Sequence, residues 1–140
     1  MDRLKETMQE LSDLLRSNMN QIGQSAKNKA YQLIEDWVKA LPKLEEEGFE
    51  VTSFALSVAI SPALDVELKG IHTDFSMSKI QYVLDTNKGN TVITTVFTTL
   101  KTTYQLHKKI NAPLKEPLIV KVKVRISPEI KVFIGEPIIQ

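Results

Sequence analysis

The chain of 140 residues contains no cysteine. That absence excludes a disulfide framework, a catalytic thiolate and Cys-ligated zinc or iron–sulfur centres. There are two histidines, His72 and His107, and neither sits in an HxxxH or HExxH spacing. Five glycines are too few and too scattered for a phosphate cradle of the GxGxxG or GxxxxGK[ST] kind. The apolar run of roughly 18 residues that a transmembrane helix needs is missing. The charged start, Met1-Asp2-Arg3-Leu4-Lys5-Glu6, is not followed by the apolar core of a signal peptide. A cytoplasmic protein without membrane insertion is the expectation.

What is present is a globular mixture, 42% hydrophobic and 25% charged, with a formal net charge of +1. The near-neutral total hides an asymmetry. Residues 1–70 carry eight basic and twelve acidic side chains, and residues 101–140 carry eight and three. Such polarity fits anion binding, self-association or pairing between the two ends.

Leu4, Met8, Leu11, Leu15, Asn18 and Ile22 are spaced alternately four and three apart, the seam of a heptad helix. Asn18 at a seam position is a register-fixing device in coiled coils. A second stripe, Ala26, Ala30, Leu33, Trp37, Leu41 and Leu44, begins after a phase slip at Gly23. Residues 1–48 therefore read as one long helix or a helical hairpin. Pro42 disfavours an uninterrupted helix past Leu41, and Gly48 reads as a C-cap after Glu45-Glu46-Glu47. A solvated last turn before the cap is the plainer reading of the three acids; because acids at a helix C-terminus oppose the dipole, a contact with the basic C-terminal region is the alternative.

From residue 49 the period changes to two, the mark of strands. Ile60-Ser61-Pro62-Ala63-Leu64-Asp65-Val66-Glu67-Leu68 returns as Ile126-Ser127-Pro128-Glu129-Ile130-Lys131-Val132-Phe133-Ile134, and Phe54, Leu56 and Val58 align with Val120, Val122 and Val124. This is the pattern of a β–Ser-Pro–β unit used twice. A hairpin or a bend at each proline keeps the apolar residues on one face. The hairpin with a three-residue loop pairs Ile60 with Leu64 and Val58 with Val66. Residues 75–84 alternate as well, with Ile80, Tyr82 and Leu84 on one side. In 91–104 the threonines favour a strand. The fourfold spacing of Val92/Ile93, Val96/Phe97, Leu100 and Tyr104 favours a helix from about 91 to 109, started by Asn90. The fold class is thus α+β: a helical region (1–48) packed on an antiparallel sheet of about five strands (49–140), with one inserted helix.

His72 and Asp74, two apart in a connection, have the residue types of a metal pair or a base and its orienter; an exposed loop histidine is the plainer expectation. Lys121, Lys123 and Arg125 alternate with Val120, Val122 and Val124, and with Lys108, Lys109, Lys115 and Lys131 they form a candidate surface for an anion or a partner. The plainer reading of these lysines is a solvated face that blocks edge-to-edge aggregation. Aromatic stacking residues among them are lacking, so nucleic acid is not expected. No catalytic, metal or cofactor motif is found, and no cofactor is expected.

Three functions follow as hypotheses. The first is a non-enzymatic assembly or binding module, a homo-oligomer or a partner of another protein, joined through Leu4, Met8, Leu11, Leu15, Asn18 and Ile22. The second is a carrier of an apolar or amphipathic ligand held between sheet and helices. The third is a small enzyme using His72 and Asp74.

Overall fold

A computed structural model describes residues 24–58 and 61–139. The heptad seam of residues 4–22, the phase slip at Gly23 and the choice between one helix and a hairpin lie outside the described residues. The fold is α+β, with three helices and one four-stranded antiparallel sheet among the described residues.

Helix α1 spans Gln24–Glu46 and carries Pro42 inside it. The helix thus continues past Leu41, contrary to the expectation from proline. The lost N–H bond falls in the last turns, where burial of Trp37, Leu41 and Leu44 holds the chain down. Gly48 ends the helix as expected. Phe49 N–H donates to the Leu44 carbonyl (3.2 Å) and Gly48 N–H to the Glu45 carbonyl (3.1 Å), the bond pair of a Schellman motif. Gly48 has φ +121°, which disfavours any side chain.

Strands β1 (Glu50–Ser57), β2 (Ala63–Gly70), β3 (Leu118–Val124) and β4 (Glu129–Ile134) pair in the order β1-β2-β3-β4, all antiparallel. Each Ser-Pro corner is a hairpin. Its register differs from the three-residue loop expected: Leu56 is opposite Leu64 and Phe54 opposite Val66. Proline has no N–H for a ladder, so β2 starts only after Pro62 and the connection lengthens to residues 58–62. The shift is even, so the apolar face is kept. In the second hairpin Val122 is opposite Ile130 and Val120 opposite Val132, the same register 66 positions on.

Between β2 and β3 lie a 3₁₀ turn (His72–Asp74), α2 (Met77–Thr86) and α3 (Thr91–Lys109). Two helices are inserted, not one, because the expected fifth strand at 75–84 is α2. Ser76 caps it by accepting from Lys79 N–H at 3.2 Å. Phe75 and Ile80, at the positions of a hydrophobic staple, are both buried. Ile80 and Val83 face the core, whereas Tyr82 is 66% exposed. Period two put Tyr82 inside; the real spacing is three.

α3 follows the fourfold pattern, burying Val92, Ile93, Val96, Phe97 and Leu100. Asn90 caps it through Ile93 N–H at 3.1 Å. The hydroxyls of Thr95, Thr99 and Thr103 donate to the carbonyls four residues back. A threonine-rich segment is thereby accommodated in a helix, since the hydroxyls that favour other conformations are satisfied locally.

Helices α1 and α3 lie on the apolar face of the sheet, and α2 packs on α3. Leu64, Leu68, Leu118, Val120 and Val124 of the two central strands are fully buried beneath them. Phe49, Phe75 and Phe97 form an aromatic centre, with Phe49 and Phe75 centroids 4.5 Å apart. Gly70 lets this centre close, because a Cβ there would stand 2.7 Å from Phe75 Cε2.

Candidate functional site

The most connected polar group is His72. Its environment reverses the expectation of an exposed loop histidine: it is 6% exposed and held on three sides. Nε2 lies 2.6 Å from the Lys115 carbonyl and Nδ1 lies 2.7 Å from the Tyr104 hydroxyl. A carbonyl oxygen only accepts, so Nε2 carries the proton. In the neutral ring Nδ1 then accepts from Tyr104 O–H. The Glu116 carboxylate accepts the backbone N–H of His72 at 3.1 and 3.2 Å. That carboxylate also stands 3.8 Å from Nε2 and is half exposed.

Burial pushes the Tyr104 hydroxyl pKa well above its ordinary value, and the negative charge of Glu116 adds to the shift. Both causes keep Tyr104 protonated and able to donate. The cluster therefore fastens three separate pieces of chain: the turn after β2, the last part of α3 and the loop before β3. It is a saturated structural tie in which both ring nitrogens are used.

Asp74 takes no part in it. Its side chain is exposed, and its backbone N–H closes the 3₁₀ turn on the Ile71 carbonyl at 3.0 Å. The pair His72 and Asp74 is thus separated in role. No local signal announces Tyr104, Lys115 or Glu116, which lie 32, 43 and 44 residues from His72. Among the described residues no group of three or more His, Asp or Glu could hold a metal ion.

The acidic run does not reach the basic C-terminal region. Glu46 and Glu47 pair with Lys43 at 3.7 and 3.6 Å, and the Lys79 ammonium of α2 donates to the Glu47 carbonyl. A basic group at the negative end of α1 is thus supplied from within α1 and from α2.

Lys121 and Lys123 lie on the solvent face of β3. That strand is central, flanked by β2 and β4, so these lysines guard no edge. Their cross-strand neighbours set the chemistry. Lys123 lies between Asp65 and Glu129, and Lys121 between Glu67 and Lys131. Opposite charges in register stabilise a sheet and leave little net field for an anion. A shallow groove of about 370 Å³ runs over this face. Arg125 lies past the end of β3, where its Nε donates to the Ser127 carbonyl at 3.3 Å. Lys108 and Lys109 end α3, and Lys115 sits in the loop before β3.

Two further grooves lie among the described residues, the first of mixed polarity and the second mainly apolar. One, of about 670 Å³, lies between α1 and α3 and is lined by Leu33, Trp37, Val92 and Ile130, with Asp36 and Lys39 at its polar side. The other, of about 550 Å³, lies between the end of α3 and β4, where Leu106 and Ile110 meet Ile138 and Ile139. No helix among the described residues is long and apolar enough to cross a membrane. Comparison with known proteins finds no matching protein family, no matching curated protein and no matching solved structure.

Proposed function

We propose that the protein is a non-enzymatic assembly module that self-associates, with Leu4, Met8, Leu11, Leu15, Asn18 and Ile22 as one contact surface. The observation that supports this reading is the alternate four-and-three spacing of that stripe, with Asn18 at a seam position. α1 and α3 pack on the apolar face of β2 and β3, whose inward side chains are buried. An apolar heptad seam is the surface through which helices of two chains pair. The equal register of the two hairpins supports reading the sheet as a duplicated β–Ser-Pro–β unit, a compact scaffold for such a seam. Light scattering on the full chain tests the proposal: a mass above that of one chain, reduced to it by Leu11→Lys, is expected. A single-chain mass for the unaltered protein at all concentrations overturns it.

A second reading, the carrier of an apolar or amphipathic ligand, draws support from the groove between α1 and α3. Trp37, the one tryptophan in the chain, lines that groove. A ligand seated there shifts Trp37 emission in a saturable way. Titration with an anionic naphthalene dye that leaves Trp37 emission unchanged removes the reading. For the enzyme hypothesis, no observation favours His72 and Asp74, since the two do not meet.

A further inference from the structure

We propose that the outer edge of β1 is a self-association surface, at which a second copy of this chain adds its own β1 in antiparallel register and joins the two sheets. The inference deepens the assembly reading by naming a contact surface within the described fold, and it rests on that reading only in requiring a dimer.

Among the described residues β1 pairs with β2 on one side alone. Its other side presents a row of backbone N–H and C=O groups, the template on which a further strand forms. Proteins protect such edges with lysine, proline, inward charges or bulges. β4, the opposite edge, has Pro128 at its entry and Glu129 and Lys131 along it. β1 has little of this. Residues 51–64 form the longest uncharged run in the chain. A single irregularity, between Val51 and Ser53, leaves Ser53–Ser57 regular. On the solvent face Ser53, Ala55 and Ser57 are small and exposed, so another backbone can approach. On the other face Phe54 and Val58 remain 37% exposed, apolar surface beyond the cover of the helices.

The occupant is a second copy because of charge. Two-fold pairing sets each β1 residue against another β1 residue. Neither strand brings a charge along Val51–Val58, so no like charges meet. Glu50 opens β1, but two-fold antiparallel pairing centred within Ser53–Ser57 sets it roughly 20 Å or more along the strands from its own copy. The acids on the adjacent strand are Asp65 and Glu67 of β2. In the joined sheet they stand three strand spacings from their counterparts, roughly 14 Å. That exceeds the screening length of about 8 Å at physiological ionic strength. A foreign strand bearing acids would meet these carboxylates one strand closer. The contact of one strand is smaller than the roughly 800 Å² per partner of a standard interface, so the dimer dissociates on dilution.

The test uses the full chain in sedimentation equilibrium over a dilution series, beside two variants. Ala55→Lys places a lysine opposite Asp65 within the same sheet, which favours the folded monomer, and near its own copy across the seam, which opposes the dimer. Leu11→Lys alters the heptad seam instead. Because the chain has no cysteine, single substitutions Ser53→Cys, Ala55→Cys and Ser57→Cys report the contact by disulfide formation, with Lys131→Cys on β4 as the control. The expected result is a concentration-dependent dimer whose mass halves in Ala55→Lys, with cross-linking several-fold faster at one of the three β1 positions than at 131. A dimer that survives Ala55→Lys, or β1 cysteines that cross-link no faster than the control, overturns the β1 edge. If such a dimer is lost in Leu11→Lys, the assembly reading stands without the edge. A single-chain mass at every concentration overturns both. Loss of the dimer in both variants, with the β1 cysteines cross-linking, keeps the edge and adds the seam as a second contact.

Discussion

The Nδ1 atom of His72 lies 2.7 Å from the hydroxyl oxygen of Tyr104, and this contact joins the exit of β2 to the last part of α3. Removing either partner isolates a different group. Tyr104→Phe leaves one imidazole nitrogen unpaired and is expected to cost about 1 kcal/mol. His72→Ala strands both the Tyr104 hydroxyl and the Lys115 carbonyl and opens a small cavity, and is expected to cost about 2–4 kcal/mol. Thermal unfolding, at roughly 4 °C per kcal/mol for a domain of this size, separates the two values. Equal melting temperatures for His72→Ala and the unaltered chain would remove the structural role given to the cluster.

The same hydroxyl predicts an alkaline limb in stability. Tyr104 is raised in the folded state by burial and by Glu116, while in the unfolded chain it titrates near its ordinary value of about 10. Above that pH the unfolded chain releases a proton that the folded chain retains, so stability is full below pH 10 and declines as pH rises beyond it. Tyr104→Phe removes the titrating group. Urea midpoints measured from pH 8 to 11 should therefore fall less steeply in the variant than in the unaltered chain.

Gly70 and Phe75 form a second coupled pair. A Cβ at Gly70 would lie 2.7 Å from Phe75 Cε2, inside van der Waals contact with a ring that is itself packed on Phe49 and Phe97. Gly70→Ala is expected to cost about 2–3 kcal/mol through overpacking. In Gly70→Ala with Phe75→Leu the smaller side chain relieves the clash. The double variant should lose less stability than the two single losses together, which a double-mutant cycle measures directly. At Gly89 nothing stands within 4 Å of an added Cβ, and Gly89→Ala should change stability by less than about 0.5 kcal/mol.

Much of the architecture was legible wherever one physical signal dominated. The fourfold spacing of Val92, Val96 and Leu100 outweighed the strand preference of the intervening threonines, and the segment is a helix. Gly48 after three glutamates marked a cap, and the cap has its two bonds. Reading failed where a short segment satisfied two periods at once. Ile80, Tyr82 and Leu84 alternate, yet Ile80 and Val83 are the buried pair, because Ser76 starts a helix that local alternation cannot reveal. The His72 cluster was illegible for another reason: its partners come from α3 and from the loop before β3, which only the folded chain brings together.

That difference over residues 77–86 has a direct measurement. In a helix Val83 is inside and Tyr82 outside; in the alternating strand the reverse holds. Val83→Asp should therefore unfold the protein or cost more than about 4 kcal/mol, as an unpaired charge in the core does. Tyr82→Asp should change stability by less than about 1 kcal/mol. Ser76→Ala should cost about 1 kcal/mol through loss of the cap. Chemical denaturation of the three variants ranks them, and a severe effect at Tyr82 would restore the strand.

The absence of cysteine also makes the hairpin registers measurable. Ser57 and Ala63 are Cα partners at the end of the first hairpin, as Lys123 and Glu129 are in the second. Partner positions in an antiparallel pair have Cα atoms about 4.5–5.5 Å apart, within the range that a disulfide spans. The double variants Ser57→Cys with Ala63→Cys and Lys123→Cys with Glu129→Cys are expected to close under mild oxidation and to raise the melting temperature. Val58 and Val66 would be partners across a three-residue loop, but Val66 is opposite Phe54 and Val58 lies outside the ladder. Val58→Cys with Val66→Cys should stay reduced under the same conditions, as intact mass after alkylation would show. Closure of that pair in preference to the first would place the turn at Ser61-Pro62 itself and undo the argument that proline lengthens the connection.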